Sequence, residues 1–269
     1  MKTTQFTLLH QQTAPLLLCN VWDVASAKTA ENLGFSAIGT SSAAIARMLG
    51  YADGEHMEFE ELLFIVKRIT SCCVLPLSVD IEAGFSENPE ITAAYIRALA
   101  EVGVVGINIE DSKVNKTNGQ RTLMNENSFA SYLSALTTQL VKDNISLFIN
   151  VRTDTFLLGV EEAVKETKKR VKLYQTAGAG GVFVPCIVQT EAIKMVVKST
   201  TLPVNIMCMP DLSDFDTLKS LGVKRISMGN FLFDALQDDL AARLSNIVQA
   251  NSFKPIFEPV SQPVLEQVL

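Results

Sequence analysis

Asp80 and Glu82 close an apolar run at residues 74–82, and Glu110 stands near the end of another at 104–111. Residues two apart on a strand share a side, so both acids are expected to point one way, with Glu110 arriving from the neighbouring strand. Carboxylates gathered this closely repel one another unless a cation sits among them. Mg²⁺ takes few protein oxygens and keeps several waters, which suits three acids on adjacent strands; Mn²⁺ is the alternative. Taken singly, each acid reads as a helix cap or a lysine partner, whereas the group reads as a metal site. Arg152 ends a third run, 146–154. Its planar guanidinium can hold a carboxylate through two bonds, or it can pair with Asp80, Glu110 or Asp154. Ser41, Ser42, Ala43 and Ala44 end the run that begins at residue 35. Such small residues let backbone N–H groups approach an oxyanion, or simply begin a helix.

The elements that must position these groups alternate along the chain. Strands are expected at 16–23, 35–42, 74–82, 104–111, 146–154, 181–186, 203–208 and 224–229. Helices are expected at 25–33, 58–70, 89–102, 126–142, 161–177, 190–198, 213–221 and 231–249, with apolar residues at helical spacing, as in Ile91, Ala94, Tyr95, Ala98 and Leu99. Gly34, Gly103 and Gly222 mark helix ends, and Asn88-Pro89 and Ser213-Asp214 mark starts. Several strands are continuous apolar runs, as expected of parallel strands buried on both faces. Eight strand-then-helix units imply an α/β fold, a (β/α)₈ barrel, with an open doubly wound sheet as runner-up. Residues 1–250 would form this one domain and 251–269 a tail broken by Pro255, Pro259 and Pro263. In such a barrel the active site lies at the C-terminal strand ends, where the apolar runs turn acidic. The polar segment 112–127 is expected to be a functional or mobile loop.

Composition narrows the classes. A net charge of −6 without a basic cluster argues against a nucleic-acid partner. Two histidines, His10 and His56, exclude a multi-histidine zinc site. Five cysteines without a CxxC pair suggest a reducing compartment and small buried side chains. No stretch has the length of a membrane span or the build of a secretion signal, so a soluble cytoplasmic protein is expected.

The motifs NVWDVASA, AIGTSSAA, LGYADG, VDIEAGF, GINIED and NVRTDTFLLG occur in order between residues 20 and 229. Together they resemble the phosphoenolpyruvate mutase/isocitrate lyase superfamily. The resemblance implies a barrel whose eighth helix is swapped between subunits, in homodimers or homotetramers, and Mg²⁺ acting on a small 2-oxo acid. By motif, it implies Asp80 as direct metal ligand, with Glu82 and Glu110 holding the ion through waters. Asp53 would be a mobile aspartate near the metal, and Trp22 an aromatic beside the substrate. Ser42, Ala43 and Ala44 would receive the substrate's oxygens, and Arg152 would bind it and offset its charge. The segment after the fourth strand, EDSKVNKTNGQR, lacks the Lys-Lys-Cys-Gly-His of the isocitrate and methylisocitrate lyases. Lys116 and Asn118 resemble instead the gating pair of the phosphonopyruvate-handling branch, although Cys186 stands where the mutase has a histidine. The expected activity is a Mg²⁺-dependent lyase or decarboxylase cleaving a C–C bond in a 2-oxo acid or substituted malate through an enolate. C–P chemistry on phosphonopyruvate is the alternative, and a non-catalytic 2-oxo acid binder the second.

Overall fold

The computed structural model describes residues 2–257. The strands are β1 (Leu16–Val21), β2 (Ile38–Thr40), β3 (Leu77–Asp80), β4 (Gly106–Glu110), β5 (Ser112–Val114), β6 (Arg121–Leu123), β7 (Phe148–Arg152), β8 (Gly181–Val184), β9 (Val204–Met207) and β10 (Arg225–Ser227). The eight other than β5 and β6 run parallel and close into a barrel, in the order β1-β10-β9-β8-β7-β4-β3-β2. β1 pairs with β2 on one side and with β10 on the other. That seam settles the choice against the open sheet, which would leave edge strands. The helices are α1 (Lys2–Leu9), α2 (Val24–Asn32), α3 (Ser42–Leu49), α4 (Phe59–Cys72), α5 (Pro89–Glu101), α6 (Glu126–Lys142), α7 (Ala163–Thr176), α8 (Thr190–Val197), α9 (Phe215–Ser220), α10 (Phe231–Ala250) and α11 (Lys254–Phe257). Pro255 falls in α11, while Pro259 and Pro263 lie outside the described residues.

Local chemistry sets many boundaries. Gly34 (φ +78°) and Gly222 (φ +88°) take the left-handed conformation that ends α2 and α9. Asn88 accepts the Glu90 N–H ahead of Pro89, and Asp214 accepts the Thr217 N–H. The expected strands overrun the observed ones, as 74–82 does Leu77–Asp80, because a continuous apolar run carries no mark of where pairing stops. The polar segment 112–127 is not a bare loop. Most of it is an antiparallel hairpin, β5 against β6, whose β6 end is tied back by the Met124 N–H to the Asp111 carbonyl at 2.8 Å.

The barrel interior is polar beneath the C-terminal rim. The Asn150 amide donates to Asn108 at 2.9 Å, and Asn20 accepts the Met228 and Gly229 N–H groups at 2.7 and 3.1 Å. Arg225 is fully buried there with one long bond to Asn108, 3.4 Å. At the opposite end α1 acts as a plug. Phe6 packs edge-on against Phe148, and a side chain on Gly106 would collide with both Phe6 and the Phe148 carbonyl. His10 stacks on Phe148, ring centroids 4.1 Å apart, with Nδ1 2.9 Å from the Phe6 carbonyl. A carbonyl only accepts, so Nδ1 carries the proton, and the buried Nε2 has no partner among the described residues.

Burial, assisted by the charge of Arg225, pushes the His10 pKa down to about 3. In the unfolded chain the ring titrates near 6.5, so between these values the unfolded state binds the extra proton. The His10 contribution is therefore complete above about pH 6.5. It is lost as pH falls toward 3, at up to about 1.4 kcal/mol per pH unit. His10→Gln is expected to flatten the acid limb of a stability–pH curve from chemical denaturation over that window, whatever its effect at pH 7. An unchanged slope would refute a buried neutral ring.

α10 stands apart from this packing. Phe233 is its one buried residue among those described. Leu232, Leu236, Leu240, Leu244 and Val248 lie exposed at spacings of four, forming a stripe along a helix about 30 Å long. Its start is pinned: Trp22 meets Phe233 edge-on at 5.2 Å, and Arg47 lies over Phe233 and pairs with Asp234. Among the described residues no helix is long and apolar enough to cross a membrane.

Candidate active site

The acidic strand ends converge on one rim. Asp80 ends β3, its own N–H held by the Thr40 hydroxyl at 2.8 Å and its Oδ2 by the Ser42 hydroxyl at 2.8 Å. Glu110 ends β4 opposite Arg152 of β7 in register, and Arg152 Nη1 lies 3.0 Å from Glu110 Oε2. Arg152 also grips Asp154 through Nε at 2.6 Å and Nη2 at 3.1 Å. The pairing of Asp80 with Glu82 differs from simple strand alternation. β3 stops at Asp80, and Glu82 has φ +50°, a conformation rare for a side-chain-bearing residue and concentrated at functional sites. The backbone ladder nonetheless continues, since the Glu110 N–H donates to the Glu82 carbonyl at 2.8 Å. The Glu82 carboxylate is held by the Glu55 N–H at 2.7 Å, and Glu55 in turn accepts the Phe85 N–H at 2.7 Å.

These acids border two adjoining cavities. One, of about 290 Å³, is lined by Ser41, Ser42, Ala43, Asp53, Asp80, Glu110, Arg121 and Arg152, with an apolar wall of Leu157, Phe183, Pro185 and Met207. The other, about 210 Å³, is lined by Glu55, Glu82 and Val114 and shares Glu110 with the first. Burial pushes the Glu82 carboxyl up to about 9, reinforced by Asp53, Glu110 and Asp80. Asp80 and Glu110 are raised in the same direction by burial, against the pull of Arg152.

A divalent cation fits this donor set. Glu82 Oε1 is buried with no hydrogen-bond partner among the described residues, and the acids are too crowded to ionise together unaided. No three His, Cys, Asp or Glu side chains among the described residues close directly around one point. An ion here would take one or two protein oxygens and fill the rest of its shell with water, which is how Mg²⁺ binds.

The sequence profile of phosphoenolpyruvate phosphomutase matches residues 6–248. The chain belongs to the phosphoenolpyruvate phosphomutase family. It is similar to an uncharacterized protein, Rv1998c, of Mycobacterium tuberculosis H37Rv, at 34% identity over 84% of this chain and 82% of the relative. Similarity to an oxaloacetate decarboxylase of Rhodopseudomonas palustris BisB18 is 26%, over 78% and 73%. A crystal structure of a putative phosphonomutase from Burkholderia cenocepacia J2315 superposes with TM-score 0.83 and 32% identity, over 91% of this chain and 99% of that one.

Several residues expected from the family resemblance meet at the rim, and others do not. Asp53 reaches the cavity from the α3–α4 connection, paired with Arg121 at 3.0 Å. Ser41 caps α3 by accepting the Ala44 N–H at 3.3 Å. Ala44 is thus fully buried with its amide spent, and the N–H groups of Ser42 and Ala43 are the ones left at the helix start. Trp22 packs under Phe233 and is not among the cavity-lining residues. Lys116 and Asn118 sit exposed at the β5–β6 turn, where Asn118 accepts the Gln120 N–H. Cys186 follows β8 with φ +62°, half-buried.

Sequence reasoning did not single out Arg121 or Asp111. Arg121, on β6, pairs with Glu110 and Asp53 and donates to the Ser112 hydroxyl at 3.0 Å. The turn signal Asn118-Gly119 marks the hairpin that delivers it. Asp111, fully buried, accepts from Thr153 Oγ1 (2.7 Å), the Asp154 N–H (3.0 Å), Arg170 Nη1 (2.9 Å) and the Tyr174 hydroxyl (2.7 Å). It thereby fixes Asp154, which fixes Arg152.

Proposed function

We propose that this protein is a Mg²⁺-dependent lyase or decarboxylase that cleaves a C–C bond in a small 2-oxo acid or substituted malate. The observation that carries the reading is the buried cluster of Asp80, Glu82 and Glu110, balanced by Arg152, beside a cavity that Ser42 and Ala43, at the start of α3, also line. Asp80, with Glu82 and Glu110 through waters, would hold the ion. When bound, the ion supplies Lewis-acid stabilisation of the charge that develops on the substrate's keto oxygen. The Ser42 and Ala43 N–H groups donate to that oxygen, prearranged by the Ser41 cap. Arg152, locked in plane by Asp154 and Glu110, presents its remaining Nη1 hydrogen to the substrate carboxylate. Loop 50–58 and the β5–β6 hairpin meet over the rim through Asp53 and Arg121 and limit water access.

The similarity to an oxaloacetate decarboxylase supports the C–C reading, and the likeness to a putative phosphonomutase favours C–P chemistry as the second. An NMR screen with Mg²⁺ of oxaloacetate, phosphonopyruvate and alkylated malates and citrates separates them. Pyruvate or another carbon fragment from a carbon-only substrate supports the first reading. Phosphate or phosphoenolpyruvate from phosphonopyruvate alone supports the second. Binding of oxalate with no turnover leaves a non-catalytic 2-oxo acid binder.

The active unit is proposed to be a homodimer or homotetramer in which α10 packs against a second copy. An unpartnered apolar stripe of this length ordinarily marks an interface. Light scattering after gel filtration is expected to give an oligomer for the native chain and a smaller species for the Leu236→Asp/Leu240→Asp double variant. A monomeric native chain would rule out the swapped helix.

A further inference from the structure

We infer that Arg121 is the specificity residue of this site: it takes the substrate's second anionic group and selects a small dicarboxylate over a 2-oxo acid with a neutral tail. The inference rests on the 2-oxo acid reading above and assigns to that site a residue the sequence motifs do not supply. Arg152 cannot serve two anionic groups. Its Nε and Nη2 hold Asp154, and its Nη1 holds Glu110, which leaves one hydrogen on each Nη, enough for a single carboxylate. The other cation lining the cavity is Arg121. Its Nη1 is shared among Glu110, Ser112 and Asp154 and its Nη2 meets Asp53, while Nε makes no hydrogen bond among the described residues. A guanidinium with an unspent N–H, 15% exposed in its side chain at the edge of a cavity, is placed to accept a carboxylate from solvent. The wall formed by Phe183 and Met207 offers no such donor.

The backbone behind Arg121 is fixed. β6 pairs Arg121 with Val114, and Val114 packs so closely on Gly54 (φ +105°) that a Cβ there would overlap it. Arg121 therefore moves with an element anchored on both sides of the rim. A neutral substrate tail at this end would leave the Arg121 Nε–H unspent, whereas a carboxylate would accept it.

The test compares two Mg²⁺-dependent ligands by calorimetry: oxalate, which carries no distal group, and 3,3-difluorooxaloacetate, which does. Arg121→Gln is expected to weaken the difluoro diacid roughly 10- to 100-fold more than it weakens oxalate, with Arg121→Lys between native and Arg121→Gln for the diacid. Equal weakening of both ligands would make Arg121 a support of the acid cluster and overturn the assignment, as would no weakening of either. Should Arg121→Gln not fold, the native protein still decides. It must bind difluorooxaloacetate well above 3,3-difluoro-2-oxobutyrate, where methyl replaces the carboxylate, and equal affinities overturn the inference. Native protein that binds no oxalate with Mg²⁺ would remove the 2-oxo acid reading itself, and the assignment of Arg121 with it.

Discussion

Asp80→Ala is expected to lower turnover of the substrate found in the screen by at least about 10³-fold and to abolish its dependence on Mg²⁺. Asp80 is the acid placed directly beside the free amides of α3, joined to them through the Ser42 hydroxyl. Removing it takes away the proposed ligand and releases Ser42. The fold should not suffer. Burial holds the Asp80 carboxyl above its ordinary range, so the native state gains little from its charge, and thermal stability should be unchanged or slightly higher. Asp80→Asn separates charge from shape, because it keeps the volume and a partner for Ser42. If Asn restores activity, charge at this position is not required and the metal assignment fails. Mg²⁺ binding followed by calorimetry gives a second readout, independent of turnover.

The largest effect on stability is expected at Asp111. Asp111→Ala takes from Arg170, 4% exposed, its one fully buried counter-charge among the described residues, leaving it the partly exposed Glu166 at 2.8 Å and Glu126 at 3.7 Å, and strips acceptors from Tyr174, Thr153 and the Asp154 N–H. Breaking a buried pair by removing one partner costs about 3–5 kcal/mol, which for a domain of this size lowers the melting temperature by about 10 °C. The Arg170→Met/Asp111→Ala double variant should recover part of this loss, because the remaining buried charge has gone with its partner. Activity should fall beyond what unfolding explains, since Asp111 holds Asp154 and Asp154 holds Arg152. A melting temperature within 2 °C of native, at about 2–4 °C per kcal/mol, would show that this cluster contributes little.

The barrel was readable because its strands are buried on both faces. Runs such as Ser-Leu-Phe-Ile-Asn-Val-Arg can be little else when amphipathic helices flank them. The acids were readable for a related reason: acids that end the apolar runs of a closed barrel gather at one rim, as Asp80 and Glu110 do, although Asp23 instead caps α2. What lay outside that logic was missed. α1 is a poor amphipath that buries only Phe6, and its role comes from the cavity it fills. β5 and β6 are three residues each and polar, so no alternation announces them. Arg121 is eleven residues from Glu110, and only the hairpin fold brings the two together. Glu82 does come close to Asp80 and Glu110, but its position comes from a left-handed backbone rather than from strand alternation.

The seam between β1 and β10 sets a schedule for biosynthesis. Leu16 pairs with Arg225, so the first strand made waits for the last. At about 5–20 residues per second that interval is roughly 10–40 s. Throughout it β1 and the most recent strand present unpaired, apolar edges, which are templates for association between nascent chains. The acids and Arg152 come from strands already paired by then, yet Asn20 and the 227–230 rim join the cavity only at closure. A chain stalled before Arg225 would thus carry the proposed metal ligands on an open, aggregation-prone sheet, so during synthesis this protein should depend on chaperones most in its final stretch.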